Sequence, residues 1–204
     1  MPRRTRADMT EDTRARLIAV ARLAFGTRGY ARTSMDEFTA EAGLTRGALY
    51  HHFGDKQGLL AAVVEQIDAE MDARLQAISA DAQEPWQGFR DRCRGYLAMA
   101  REAEYQRVVL QDARAVLGGA MPGAQLQCVA SLRAIVDQLI VAGVVAPLDA
   151  QAVARLIHGS LTEASFWIAE GDDGDARLVQ ALAALELMLQ GLRAPSRDEP
   201  APTG

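Results

Sequence analysis

The chain reads as an all-α protein of about nine helices: an N-terminal three-helix helix-turn-helix unit followed by a larger helical domain. Three observations predict this. Apolar residues recur at helical spacing along most of the 204 residues, and no stretch alternates as a strand does. Breaks rich in Gly, Pro and Asp divide the periodic segments. Finally, 49% hydrophobic against 24% charged residues is enough to bury a real core.

The first helix is expected from about Glu11 to Arg28, where Leu17, Ile18, Ala21, Ala24 and Phe25 share one face and Gly29 supplies a stop. Ser34-Met35-Asp36-Glu37 has the S-x-x-E form of a capping box and opens a short second helix ended by Gly43, with Asp36 and Glu37 also suiting its positive start. Thr45 is placed to cap a third helix of about eight residues. Asp55 then caps a long fourth helix carrying Leu60, Val63, Val64, Ile67, Met71, Leu75 and Ile78. Further helices are expected at about 86–102, 104–117, 123–143, 149–171 and 174–193. This reading divides the chain into residues 1–55, 56–193 and a disordered tail at 194–204, with the first nine residues also mobile.

Charge is distributed unevenly. Residues 1–60 hold ten Lys/Arg against seven Asp/Glu, and the rest hold twelve against twenty, which together make the net charge of −5. Such asymmetry suggests a basic head carried on an acidic body, though +3 over sixty residues is ordinary. No apolar run approaches the ~20 residues that span a bilayer, and the basic N-terminus lacks the apolar stretch of a secretory signal. Cys93 and Cys128 form neither a disulfide framework nor a metal-like cluster, so they read as reduced thiols of a cytoplasmic protein.

The stretch LTRGALYHHFGDKQGLL, residues 44–60, concentrates an Arg, a Tyr, two His and the only Lys of the chain. At about 100° per residue, Arg46, Gly47, Tyr50 and His51 fall on one half of the third helix. Ala48, Leu49, His52 and Phe53 fall on the other, which is expected to dock on the first two helices. Gly47 costs an exposed helix about 1 kcal/mol relative to Ala, which either close approach of another surface or a forgiving first turn explains. Lys56 opposes the dipole at the start of the fourth helix; a bound phosphate removes the conflict, and an ordinary solvated Lys is the alternative. Adjacent His51 and His52 diverge on a helix, whereas helical zinc ligands sit four apart, and His158 is remote in sequence; no metal and no cofactor are expected. No nucleophile or phosphate-cradling motif appears, so the chain does not read as an enzyme.

Taken together, residues 15–64 resemble the DNA-binding domain of the tetracycline-repressor (TetR) family of bacterial regulators. The resemblance lies in AF-x-x-x-GY-x-x-TS, in AGL-T-x-G-x-LY-x-HF and in x-DK-x-x-LL; Phe38 and Thr39 depart from the usual Ile and Ala. It implies that Thr45, Arg46, Gly47, Tyr50, His51 and Lys56 meet DNA, that Thr33 and Ser34 approach phosphate, and that His52 joins from the flank. Residue type suits Arg46 and Gly47 to base edges, Tyr50 to a thymine methyl or a phosphate, and His51 and Lys56 to phosphates.

One helix-turn-helix has too small a footprint for tight specific binding, so a homodimer on palindromic double-stranded DNA is expected. The resemblance implies that the last two helices join the subunits. Val153, Leu156, Ile157, Leu161, Ala164 and Ile168 on one, with Leu178, Leu182, Leu185 and Leu189 on the other, are the candidate interface. It also implies a small-molecule pocket in the body, for which Trp86, Phe89, Tyr96, Met99, Tyr105, Leu110, Met121, Cys128, Phe166 and Trp167 are candidates; an apolar or amphipathic effector fits that composition. The function read from the sequence is thus a ligand-responsive repressor. Two rivals stay open at this point: a DNA-binding protein that senses nothing, and a helical scavenger whose helix-turn-helix is incidental.

Overall fold

The computed structural model describes residues 6–118 and 122–195. The amphipathic segments become helices α1 (Arg6–Arg28), α2 (Met35–Ala42), α3 (Arg46–Phe53), α4 (Lys56–Asp81) and α5 (Pro85–Met99). Next comes a π-helical stretch, Tyr105–Ala113, that runs into an α-helical turn, Arg114–Leu117; the two are taken together as α6. Helices α7 (Pro122–Val141), α8 (Ala150–Ala169) and α9 (Gly174–Gln190) follow. Among the described residues there is no strand, only an isolated bridge between Val145 and Arg193. Helix α1 starts five residues before the expected Glu11. The expectations for the extreme N-terminus and for the tail fall mostly outside the described residues.

The π-helical stretch is not legible from spacing alone. Its buried residues, Tyr105 with Leu110 and Val108 with Ala113, are each five apart, the repeat that an i→i+5 helix brings onto one face.

The chain divides into two compact units, residues 1–71 with 102–124, and residues 72–101 with 125–204. In the first unit Leu17, Phe25, Phe38, Leu49, Leu59, Leu60 and Val63 are fully buried. The Phe25 and Phe38 rings meet edge-to-face at 5.4 Å, a geometry that suits their quadrupoles. Polar ties surround this core. Arg22 of α1 grips Glu104 in a fork (2.8 and 2.7 Å) and reaches Glu70 of α4 at 2.6 Å. The Tyr30 amide donates to Asp112 of α6 at 2.7 Å. Helix α6 is thereby built into the same unit as the helix-turn-helix.

In the second unit α5, α8 and α9 pack on one another, with Phe89, Leu75, Leu97, Leu139, Ile168 and Leu189 nearly or wholly excluded from solvent. A buried ion pair lies here. Arg92 Nη2 donates to Asp72 Oδ1 at 2.7 Å, and Gln76 donates to the other Asp72 oxygen at 2.7 Å.

Candidate nucleic-acid interface

Both short helices are set by their caps. Ser34 forms the expected box: its hydroxyl accepts from the Glu37 amide, and the Glu37 carboxylate accepts from the Ser34 amide at 2.8 Å. Gly43 then leaves α2 in the left-handed conformation (φ 62°), which a residue with a Cβ adopts only at a cost. Thr45 caps α3 by accepting from the Ala48 amide at 3.2 Å. Asp55 caps α4 through the Gly58 amide at 2.7 Å.

Helix α3 divides as its residue types require. Leu49 is fully buried, and Ala48, His52 and Phe53 are half-buried. Thr45, Arg46, Gly47, Tyr50 and His51 are exposed together, Tyr50 by 46%. An exposed aromatic beside an Arg and a Gly on a short, well-capped helix is a surface with hydrogen-bond donors, a stacking ring and room for close approach. Those are the elements of base-edge and phosphate recognition.

Three neighbours sit differently from the expectation. Thr33 is buried, and its hydroxyl donates to the Tyr30 carbonyl at 2.9 Å, so it belongs to the turn and not to a phosphate surface. Ser34 is exposed, but its hydroxyl oxygen is engaged in the cap. The Lys56 ammonium donates to the Tyr30 carbonyl at 2.6 Å and lies 4.1 Å from the centre of the Tyr30 ring. Burial pushes its pKa down from the usual ammonium value. The conflict of Lys56 with the α4 dipole is therefore met inside the fold, by a carbonyl and a ring face, without any phosphate.

One participant escaped sequence reasoning. Asp36 on α2 accepts from Arg46 Nε at 2.7 Å, both side chains being more than 60% exposed. Such a pair adds little stability, but it holds the guanidinium and puts a carboxylate beside any approaching phosphate. Asp36→Ala is expected to lower the melting temperature only slightly, through the lost α2 dipole interaction, and to raise affinity for non-specific duplex a few-fold at low salt, as read by fluorescence anisotropy.

The other candidate sites are redistributed. Phe89 and Met99 are packed in the core of the second unit, and Tyr105 and Leu110 in the core of the first. Trp86 and Phe166 are half-buried. Trp167 is exposed, with the Arg177 guanidinium 5.5 Å from its ring. Met121 lies outside the described residues. Of the ten pocket candidates, Tyr96 and Cys128 line a common cavity, together with Leu75, Arg92, Cys93, Leu132, His158 and Leu161.

The apolar stripes on α8 and α9 also need correction. Val153, Ile157, Leu161, Ile168, Leu185 and Leu189 are buried within the chain itself, and Ala164, Leu178 and Leu182 are half-buried. Of the candidates Leu156 faces solvent, and Trp167, Val179, Leu187 and Met188 of α8 and α9 are exposed as well. Periodicity finds the apolar positions of a helix, but two apolar faces on one helix cannot be ranked without knowing which one its neighbours cover.

Among the described residues no group of His, Cys, Asp and Glu is placed to hold a metal ion. No helix among them is long and apolar enough to cross a membrane.

Known proteins match both parts of this architecture. Residues 17–63 match the family described as "Bacterial regulatory proteins, tetR family". Residues 86–192, just over half of the chain, match "Tetracyclin repressor-like, C-terminal domain". The chain belongs to the TetR family of bacterial transcriptional regulators. A TetR-family regulator from Pectobacterium atrosepticum is 66% identical, covers 95% of this chain and 100% of its own, and superposes with a TM-score of 0.88. The HTH-type transcriptional regulator TtgR of Pseudomonas putida is 37% identical over 81 residues, or 40% of this chain and 38% of TtgR. The Transposon Tn10 TetC protein of Escherichia coli is 27% identical over 145 residues, or 70% of this chain and 73% of TetC. The match to TtgR thus spans about two fifths of that regulator's length. TetR-family members are DNA-binding regulators, and in this chain α3 turns Thr45, Arg46, Gly47, Tyr50 and His51 to solvent.

Proposed function

We propose that this TetR-family chain is a repressor that binds a palindromic operator as a homodimer and is released by a small-molecule effector. The supporting observation is the exposed row Thr45, Arg46, Gly47, Tyr50 and His51 on a helix whose opposite side is anchored by fully buried Leu49. Arg46 and Gly47 meet base edges, Tyr50 a thymine methyl or phosphate, and His51 a phosphate, with His52, Ser34 and Lys56 at the flank. The subunits join through the solvent-facing apolar side of α8 and α9, where Leu156, Trp167, Val179 and Leu187 otherwise stand in water. That joint sets two recognition helices about 34–36 Å apart, one helical turn of duplex. Helix α4 contributes residues to both units, which makes it the natural carrier of an effector signal. The effector acts by favouring a spacing that no longer fits successive major grooves.

The test is selection of fragmented DNA from the source organism by the purified protein at low and moderate salt. One palindromic site is expected to survive moderate salt, because phosphate contacts alone are lost as salt rises. Arg46→Ala should weaken that site by about 1–3 kcal/mol, the worth of a bidentate base contact, with an unchanged melting temperature. Uniform retention that disappears with salt, from protein refolded to strip any ligand, would overturn the reading.

A further inference from the structure

The cavity walled by α4, α5, α7 and α8 has a volume of only about 10 Å³, room for about one water. Most of its lining is apolar: Leu75, Leu132, Leu161 and the two thiols. The exceptions are unusual. Arg92 is 3% exposed and His158 6%, and in each a buried nitrogen, Arg92 Nη1 and His158 Nδ1, has no hydrogen-bond partner. Leaving such atoms unpaired in an apolar surrounding costs a folded protein substantially, so two in one cavity wall mark a place prepared to receive an oxygen.

Charge decides which kind of oxygen. The Arg92 cation is already matched by Asp72 at 2.7 Å. Burial disfavours charge on both neighbours, pushing the His158 imidazole down from its usual pKa and the Cys93 thiol up to about 12. With Asp72 counted behind the wall, the site carries no net charge. A carboxylate entering it would be an uncompensated buried anion, whereas a carbonyl accepts the same hydrogen bonds without that penalty.

We propose that the effector is a neutral amphipathic molecule whose carbonyl oxygen accepts from Arg92 Nη1 and His158 Nδ1 while its apolar body lies against Leu75, Leu132 and Leu161. This rests on the reading of the chain as a ligand-responsive regulator. It also supplies the switch. Ligand sites are typically about 300–1,000 Å³, so a cavity this small takes such a molecule only if side chains from α4, α5, α7 and α8 part. An effector that binds solely the parted state shifts the population toward it.

The test titrates the full chain with probes of matched length: 2-nonanone, methyl octanoate, N-methyloctanamide, nonanoate and nonane. Binding is read by calorimetry. At least one neutral carbonyl probe should bind at least tenfold more tightly than nonanoate and nonane. The double variant Asp72→Leu/Arg92→Leu removes the ion pair as a unit and keeps the core filled, and His158→Leu removes the second partner. Each should weaken that probe at least tenfold while keeping a cooperative melt. Tighter binding of nonanoate, equal binding to wild type and variants, or no binding by any carbonyl probe would overturn the proposal. Operator affinity is measured separately with the bound probe present. If the probe binds through Arg92 and operator affinity stays unchanged, the site stands and it is the ligand-responsive reading that fails.

Discussion

Asp72→Ala should lower the unfolding free energy by about 3–5 kcal/mol, the loss expected when one member of a buried pair is removed and the other charge is left stranded. Arg92 is 3% exposed, and its salt bridge to Asp72 is 2.7 Å long. Without that partner the guanidinium stays in an apolar wall with a second nitrogen that already lacks one. For a chain of this size the loss corresponds to roughly 6–20 °C in melting temperature. Asp72→Leu/Arg92→Leu should fall within about 1 kcal/mol of wild type, because the desolvation cost disappears along with the Coulomb gain. Urea unfolding of the three proteins decides the matter. A single variant as stable as wild type would mean that Arg92 finds water or another partner once Asp72 is gone.

Gly58→Ala should break the proposed recognition surface without touching it. Gly58 lies in the first turn of α4, and a Cβ there would stand 2.0 Å from the Phe53 carbonyl oxygen and 3.2 Å from its carbon. Both are backbone atoms, so no side chain can swing aside, and the end of α3 must move. That end is held by the Gly54 amide on the Tyr50 carbonyl at 2.9 Å and the Asp55 amide on the Phe53 carbonyl at 2.8 Å. A shift therefore carries Tyr50 and His51 with it. Overpacking of this kind costs about 1–3 kcal/mol, and operator binding should fall by more than the stability loss explains.

Gly47→Ala is the informative contrast. A Cβ on exposed Gly47 meets nothing nearer than the Thr45 hydroxyl at 3.9 Å, so the helix should gain up to about 1 kcal/mol. Operator affinity should nevertheless drop, because the close approach of backbone to base edges is lost. Anisotropy titrations and thermal melts on both variants check the pair. Retained operator affinity in Gly58→Ala would show that α3 tolerates displacement.

Much of the head is legible in the sequence. The capping box at Ser34, the caps at Thr45 and Asp55, and the two sides of α3 all follow from short-range rules, because cap hydrogen bonds and helical periodicity connect residues three or four apart. Lys56 stands out as an anomaly by the same rules, but they do not reach its partner within the fold. Its ammonium is satisfied by Tyr30, twenty-six residues earlier, and no local rule reaches that far. Asp36 reads as a residue suited to the α2 dipole, while its grip on Arg46 depends on how α2 and α3 cross.

In the body the balance tips the other way. Arg92 carries a faint signal, a charge among Phe89, Cys93 and Tyr96 on what reads as an apolar face, yet its partner Asp72 is on another helix. His158 reads as too isolated for a metal site, and the fold then sets it beside Tyr96 by bringing α8 against α5.

By itself the sequence determined the helices, their caps, the family and the row of residues that α3 offers, since all of these are written in neighbours a few positions apart or in a contiguous motif. Only the tertiary structure decided which apolar face of α8 and α9 is left to solvent, which aromatics are plain core, and where two buried nitrogens lack partners. Burial and pairing are properties of helix against helix, and periodicity within one helix does not say what lies across from it.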